Sequence, residues 1–275
     1  LRRLPHPRRR ESPTSRDTGA VSLWQMAAIL LAGMAAGTIN TLVGSGTLIT
    51  FPTLLAFGIP PVTANVSNNV GLVTGSLSGT LASRAELVGQ GRRNWRLGPA
   101  SLLGGAVGAI LLLVLPSSVF AAVVPVLIGL GVVLVIFQPR ISAWVARRHE
   151  SLGGLPEDGA WWVRPGVALA GVYGGYFGAA QGVLLMAILG NGVDDSLQRL
   201  NATKNLLSTV VNGIAAVLFI ALEHIDWTVA GLIAAGSVVG GQLGVRVARR
   251  LPAAVLRGVI VVVGTAALVT FLVRS

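Results

Sequence analysis

Ten apolar stretches punctuate the chain. They lie at about 21–43, 47–58, 64–83, 97–115 and 118–137 and then, past a polar link over 138–163, at 164–178, 182–190, 202–221, 228–247 and 253–273. Most are long enough to cross about 30 Å of hydrocarbon as helices. The stretches 47–58 and 182–190 are too short, and each follows a cluster of glycines. They occupy corresponding places in two halves of the chain. A shift of 136 positions carries Asn65 onto Asn201, Asn69 onto Asn205, Gly104-Gly105 onto Gly240-Gly241, Gly108 onto Gly244, Leu115-Pro116 onto Leu251-Pro252 and Val119 onto Val255. A shift of 134 carries Gly37 onto Gly171 and Gly44 onto Gly178, so the second copy has two extra residues between these blocks. Duplicated halves with short, glycine-interrupted segments in matching positions are the pattern of secondary transporters, whose sites lie at the midplane beside the interruptions.

The pattern predicts an all-α integral membrane protein of two homologous halves, each of about five segments. The halves form an inverted repeat with short broken or re-entrant helices. The expected divisions are a disordered basic tail at 1–20, a first membrane repeat at 21–137, an interfacial linker at 138–163 and a second repeat at 164–275. Composition agrees, with 53% hydrophobic residues, 11% charged residues and a mean hydropathy of +0.74. A soluble domain cannot hide that much apolar surface.

The formal charge of +11 sits in the tail, the loops and the helix ends, with one exception discussed below. Beside apolar segments, such charge sets topology and meets anionic lipid. It lacks the interleaved aromatics of a nucleic-acid-binding face, so nucleic acid is not expected as a partner. Ten crossings place Arg84–Arg96, Arg140–Arg164 and Arg246–Arg257 inside but leave the tail outside. Nine crossings, with 47–58 turning back, repair the tail and break the symmetry. Residues 1–36 have the look of a signal peptide, but cleavage there would cost the first repeat a helix. Trp144, Trp161 and Trp162 suit the membrane–water interface.

The first interruption reads Gly37-Thr38-Ile39-Asn40-Thr41-Leu42-Val43-Gly44-Ser45-Gly46-Thr47, followed by Pro52 and Ala64-Asn65-Val66-Ser67-Asn68-Asn69. The second reads Gly171-Val172-Tyr173-Gly174-Gly175-Tyr176-Phe177-Gly178-Ala179-Ala180-Gln181-Gly182, followed by Asn201-Ala202-Thr203-Lys204-Asn205. Over residues 22–273 the chain resembles the sulfite exporter family TauE/SafE, with its duplicated glycine-rich break and following polar block. Asn40-Thr41 and Ala179-Ala180-Gln181 depart from that pattern. The resemblance implies export of a small oxyanion, sulfite or a related organosulfur or sulfonate anion, by a multi-pass protein of the bacterial inner membrane. An anion channel of the same fold and a structural or assembly role are the alternatives.

A glycine break restarts a helix inside the membrane and leaves backbone N–H groups at its N-terminus without intrahelical partners. Those groups and the helix dipole favour an anion. The candidate substrate-binding residues are Asn40, Gly44, Ser45, Gly46 and Thr47 at the first break, and Gly178, Gln181 and Gly182 at the second. A second cluster is Asn65, Asn68 and Asn69 with Asn201, Asn205 and Asn212, in which Asn65 and Asn69, like Asn201 and Asn205, are four apart and share a helix face. They line the path or bond neighbouring helices. Gly104, Gly108, Gly240 and Gly244 fit close helix packing better.

The exception among the charges is Lys204, the one lysine beside twenty arginines. A buried ammonium can lose its proton where a guanidinium cannot, so Lys204 is a candidate oxyanion ligand. Snorkelling to the interface is the bland alternative. The chain has no cysteine. His6, His149 and His224 have no metal-ligand spacing, so neither metal nor cofactor is expected. The apolar segments hold no Asp, Glu or His to act as acid or base, so no enzyme activity is expected. Without a nucleotide-binding motif, energy has to come from the substrate's gradient or from protons or another coupling ion. A homo-oligomer is compatible with the pattern.

Overall fold

The computed structural model describes residues 22–151, 156–247 and 253–274. The tail 1–20 and Leu251-Pro252, both singled out in the sequence, lie outside the described residues. Every element among the described residues is an α-helix: α1 (Leu23–Leu42), α2 (Thr47–Ala56), α3 (Pro61–Ala82), α4 (Gly91–Val114), α5 (Ser117–Ser151), α6 (Val163–Tyr176), α7 (Gln181–Gly192), α8 (Leu197–Leu222), α9 (Trp227–Val247) and α10 (Ala253–Arg274). Each predicted segment has its helix. Among the described residues, α1, α4, α5, α8 and α10 carry stretches long and apolar enough to cross a membrane, while α2 and α7 are short.

The helices begin where their caps dictate. α3 starts three residues earlier than its apolar run because Pro61 sits at its first position, where a missing N–H costs nothing. α8 starts five residues early because the Ser196 hydroxyl accepts from the Arg199 N–H. The largest departure is in the linker, whose residues 138–151 continue α5 as helix. Pro139 lies within that run. The polar composition of this stretch exposes the helix without ending it.

The packing repeats with a period of five helices. α1 lies along α9, and α6 lies along α4. α3 against α9 matches α8 against α4, and α2 against α10 matches α7 against α5. The pairs α3–α8 and α5–α10 are their own counterparts. The two sequence halves are therefore interleaved, joined by the two closest helix pairs. Glycine makes these pairs possible. A Cβ at Gly104 would stand 2.1 Å from the Ala168 carbonyl oxygen, and one at Gly108 would stand 2.0 Å from that of Val172. On the other pair, a Cβ at Gly240 would stand 2.0 Å from the Met34 oxygen. Thr38 adds a bond of 2.9 Å from its hydroxyl to the Gly240 carbonyl. Packing of this kind replaces the hydrophobic force that lipid cannot supply between helices.

The outward surface is apolar: Leu103, Val107, Ile110, Val126, Val133, Val262 and Val269 are all exposed. In a bilayer these side chains meet acyl chains. Trp24, Trp95, Trp161 and Trp227 are exposed near helix starts, as an interfacial aromatic belt requires.

Candidate functional site

Both breaks are built the same way. α1 ends as the Val43 and Gly44 N–H groups donate to the Ile39 carbonyl at 2.7 and 3.1 Å. α6 ends as those of Phe177 and Gly178 donate to the Tyr173 carbonyl at 3.0 and 3.1 Å. Gly44 and Gly178 share a φ of +79°, a left-handed conformation that stops a helix and that glycine adopts without a Cβ penalty. After each turn a short helix begins, α2 at Thr47 and α7 at Gln181. At the second break Ala180 is left-handed as well, with φ 61°. A non-glycine residue in that region stores strain, which concentrates at functional sites.

The two breaks touch. The Gly182 N–H donates to the Gly44 carbonyl at 3.2 Å, and a Cβ on Gly182 would lie 2.6 Å from the Gly44 Cα. Beside this crossing is a cavity of about 20 Å³, room for roughly one water molecule. Its wall is the turn into α2 (Gly44, Thr47), the turn into α7 (Phe177, Gly178, Gln181, Gly182) and, from α1, α3 and α8, the polar Asn40, Asn68, Asn69, Ser208 and Asn212 with Leu72. A smaller space of about 10 Å³ adjoins it through Asn40 and Ser208 and is lined also by Thr41, Ser76 and Asn205. The lining pairs across the repeat: Gly44 with Gly178 and Thr47 with Gln181 at the 134 shift, Leu72 with Ser208 at 136.

Hydrogen bonds hold the wall. Asn40 and Asn212 each donate to the Ser76 hydroxyl at 3.2 Å, and Asn69 donates to the Asn212 carbonyl oxygen at 3.5 Å. Asn68 donates to Thr47 at 3.4 Å and accepts a short bond from Thr50, which ties α3 to α2. Phe177 packs edge-on against Phe51 with centroids 5.1 Å apart, giving the cavity a rigid apolar side. Several groups remain unspent. Gln181 Nε2, Asn205 Nδ2, Asn69 Oδ1 and Ser45 Oγ are buried with no hydrogen-bond partner. The Gln181 carboxamide lies over Gly174, where a Cβ would be 2.3 Å from its Cδ.

Of the predicted site residues, Asn40, Gly44, Thr47, Asn69, Gly178, Gln181 and Gly182 line the main cavity, and Asn205 lines the smaller one. Ser45 is fully buried but lines neither, and Gly46 packs against Ala36. Asn65 donates to the Tyr176 carbonyl at 3.0 Å, so it bonds helices together. Asn201 is half-buried on α8 and lines neither cavity. Lys204 lines neither, yet it is 1% exposed and its ammonium has no partner. It lies next to Asn205 and one turn before Ser208. Ser76, Phe177 and Ser208 are wall residues that sequence reasoning passed over. The sequence held a signal for two of them, since the 136 shift carries Ser76 onto Asn212, and Ser208 follows Lys204 by one helical turn.

At one end of the bundle, Arg93 bonds Asp195 at 2.8 Å, Gln90 at 2.8 Å and the Glu157 carbonyl. Arg199 bonds Asp195 from α8. This cluster ties the start of α4 to the α7–α8 turn and to the residues before α6. Burial alone would raise the Asp195 carboxyl. The hydrogen bonds from Arg93 and Arg199 outweigh it and hold the carboxyl below its ordinary range.

The model of the sulfite exporter TauE/SafE family matches residues 29–271. The chain belongs to that family. It is 26% identical over 239 residues to a "Probable membrane transporter protein" of Haemophilus influenzae, covering 86% of this chain and 90% of that one. It is 24% identical over 244 residues to the "Probable membrane transporter protein YfcA" of Escherichia coli K12, covering 88% of each. It is 25% identical over 241 residues to the "Probable membrane transporter protein ORF9" of a Sinorhizobium species, covering 88% of this chain and 90% of the relative. No solved structure gives a significant match. The chain is thus a multi-pass membrane transporter of the TauE/SafE family.

Proposed function

We propose that this transporter carries a small oxyanion, sulfite or a related organosulfur or sulfonate anion, out of the cell across the bacterial membrane. The observation that carries the reading is the meeting of the two glycine breaks beside a small polar cavity. The N-termini of α2 and α7 both open onto it. A helix N-terminus presents a positive dipole end that favours an anion, and two of them converge here. The first N–H groups of α7 are already bonded, Gln181 to Gly178, Gly182 to Gly44 and Val183 to Ala180. On that side the dipole and the Gln181 amide are what the site offers. Irregular backbone at membrane depth is tolerated where it lines such a cavity.

The cavity is small, about 20 Å³, which favours alternating access over an open pore. Because α1 lies on α9 and α6 on α4 through glycine contacts, those two pairs move as units in this scheme. The rearrangement then falls to α2 and α7 with the helices that back them. The homologous halves as an inverted repeat, with the coupling ion yet unassigned, complete the proposal.

The test is sulfite flux in proteoliposomes, with thiosulfate and sulfoacetate as competitors, for the parent and for Gln181→Ala and Asn212→Ala. Saturable flux that falls in both variants at equal insertion supports the reading. Absence of flux for every oxyanion tried would remove it.

A further inference from the structure

We infer that Lys204, one helical turn before the wall residue Ser208, supplies one positive charge behind the wall of the loaded site, which thereby selects a monovalent oxyanion over a divalent one of similar size. The inference rests on the cavity being an oxyanion site.

The repeat shows where the charge arises. The 136 shift carries Asn68 onto Lys204. Asn68 is neutral, lines the main cavity and is spent on Thr47 and Thr50. Lys204 holds the equivalent place on α8, 1% exposed, with no hydrogen-bond partner and no ion pair among the described residues. The ion pairs found there join Arg92 to Asp158, and Arg93 and Arg199 to Asp195, all at helix ends or in loops. The ten acids of the chain lie in the tail, in the loops or in the last turns of α5, so none stands in the apolar part of a helix to neutralise the ammonium.

Charge balance then favours one valence. An unpaired buried ammonium is costly to keep out of water, so Lys204 holds its proton when an anion lies beside it, and a monoanion then brings the loaded site to neutrality. A dianion reaches the same place only by leaving a net negative charge in low dielectric. The spare hydrogen-bonding capacity points the same way. Gln181 Nε2 and Asn205 Nδ2 are donors without acceptors, one in each cavity wall, and Asn69 Oδ1 in the main wall is an acceptor without a donor. The oxygens of a monovalent sulfonate satisfy the two donors, and the O–H of hydrogen sulfite would also meet Asn69.

Three probes of like shape separate the terms: dimethyl sulfone (neutral), methanesulfonate (monovalent) and thiosulfate (divalent). Each is measured as a competitor of sulfite flux and by the thermal shift of the purified, detergent-solubilised transporter. Lys204→Asn, which restores the residue of the other half, and Lys204→Arg, which keeps the charge, are compared with the parent. The expected result is that methanesulfonate binds the parent tightest. Lys204→Asn should lose about thirtyfold or more of that affinity while binding dimethyl sulfone as before, and Lys204→Arg should retain the order. Thiosulfate binding the parent as tightly as methanesulfonate would overturn the valence inference and leave the oxyanion function standing. An unchanged order in Lys204→Asn would remove the assignment to Lys204. If none of the probes or sulfite binds the parent, the oxyanion function itself fails. The parent series decides the valence even if a variant does not fold.

Discussion

Replacing Gly182 by alanine places a methyl group at the crossing of the two breaks. Its Cβ would stand 2.6 Å from the Gly44 Cα, 3.2 Å from the Gly44 oxygen and 3.3 Å from the Gly44 carbonyl carbon. Carbon atoms in contact prefer about 3.5–4.0 Å, so the breaks must part by about 1 Å. The obstacle is backbone on a glycine with φ +79°, and it cannot rotate away as a side chain would. Overpacking of this kind costs about 1–3 kcal/mol. The 3.2 Å bond from the Gly182 N–H to Gly44 is lost as well, about 1 kcal/mol. Alanine returns up to about 1 kcal/mol as a better helix former, so the net destabilisation is about 1–3 kcal/mol. The expected fall in Tm is about 3–10 °C, with sulfite flux in proteoliposomes reduced at least about tenfold because the cavity wall is displaced. Gly213→Ala on α8 is the control, since a Cβ there meets nothing within 4 Å. It should raise Tm slightly and leave flux unchanged. If Gly182→Ala behaves like Gly213→Ala in both assays, the contact between the breaks, and the site argued from it, is refuted.

Gly104→Ala and Gly240→Ala drive a Cβ to 2.1 and 2.0 Å from a backbone oxygen. Each should lower thermal stability by about 2–3 kcal/mol and reduce membrane abundance, while the protein that folds keeps the parent's substrate order. Asp195→Asn strands the buried Arg93 guanidinium and should cost about 3 kcal/mol at neutral pH. Asp195 titrates below its ordinary 3.8 when folded, so its contribution is complete above that value and disappears as pH falls through the lower, folded one. Thermal melts of parent and variant should therefore converge in strong acid, and a gap that stays constant down to about pH 2 would contradict the ion-pair assignment. The chain has no cysteine, so a single introduced thiol reports alone. Ser208→Cys should react with a small charged thiol reagent and be protected by sulfite. Val217→Cys, on a 62% exposed lipid-facing position, should gain no protection.

Much of this molecule is legible in its sequence. Apolar runs long enough for a bilayer fix which stretches are helices, because a backbone in hydrocarbon must satisfy its own hydrogen bonds. The repeat marks Gly44 and Gly178 as equivalent, and a glycine that ends an apolar run is already a left-handed helix stop in prospect. Periodicity also groups Asn65 with Asn69 and Asn201 with Asn205. What each face meets depends on the partner helix, which a one-dimensional pattern does not contain. Asn65 turns to the Tyr176 carbonyl and Asn69 to Asn212, although the same spacing describes both. The sequence context separates Gly104, inside a long apolar run, from Gly182, at a break, but which backbone each one meets, α6 in one case and Gly44 in the other, is set by the tertiary structure. The sequence by itself determined the family, the helices, the breaks and the lone lysine, because these follow from local chemistry and repetition. The interleaving of the halves, the contact of the breaks and the choice of Ser76 and Ser208 as wall residues were decided by tertiary structure. They depend on which surfaces fit closely enough in lipid to hold together, and that is a property of pairs of helices rather than of either one alone.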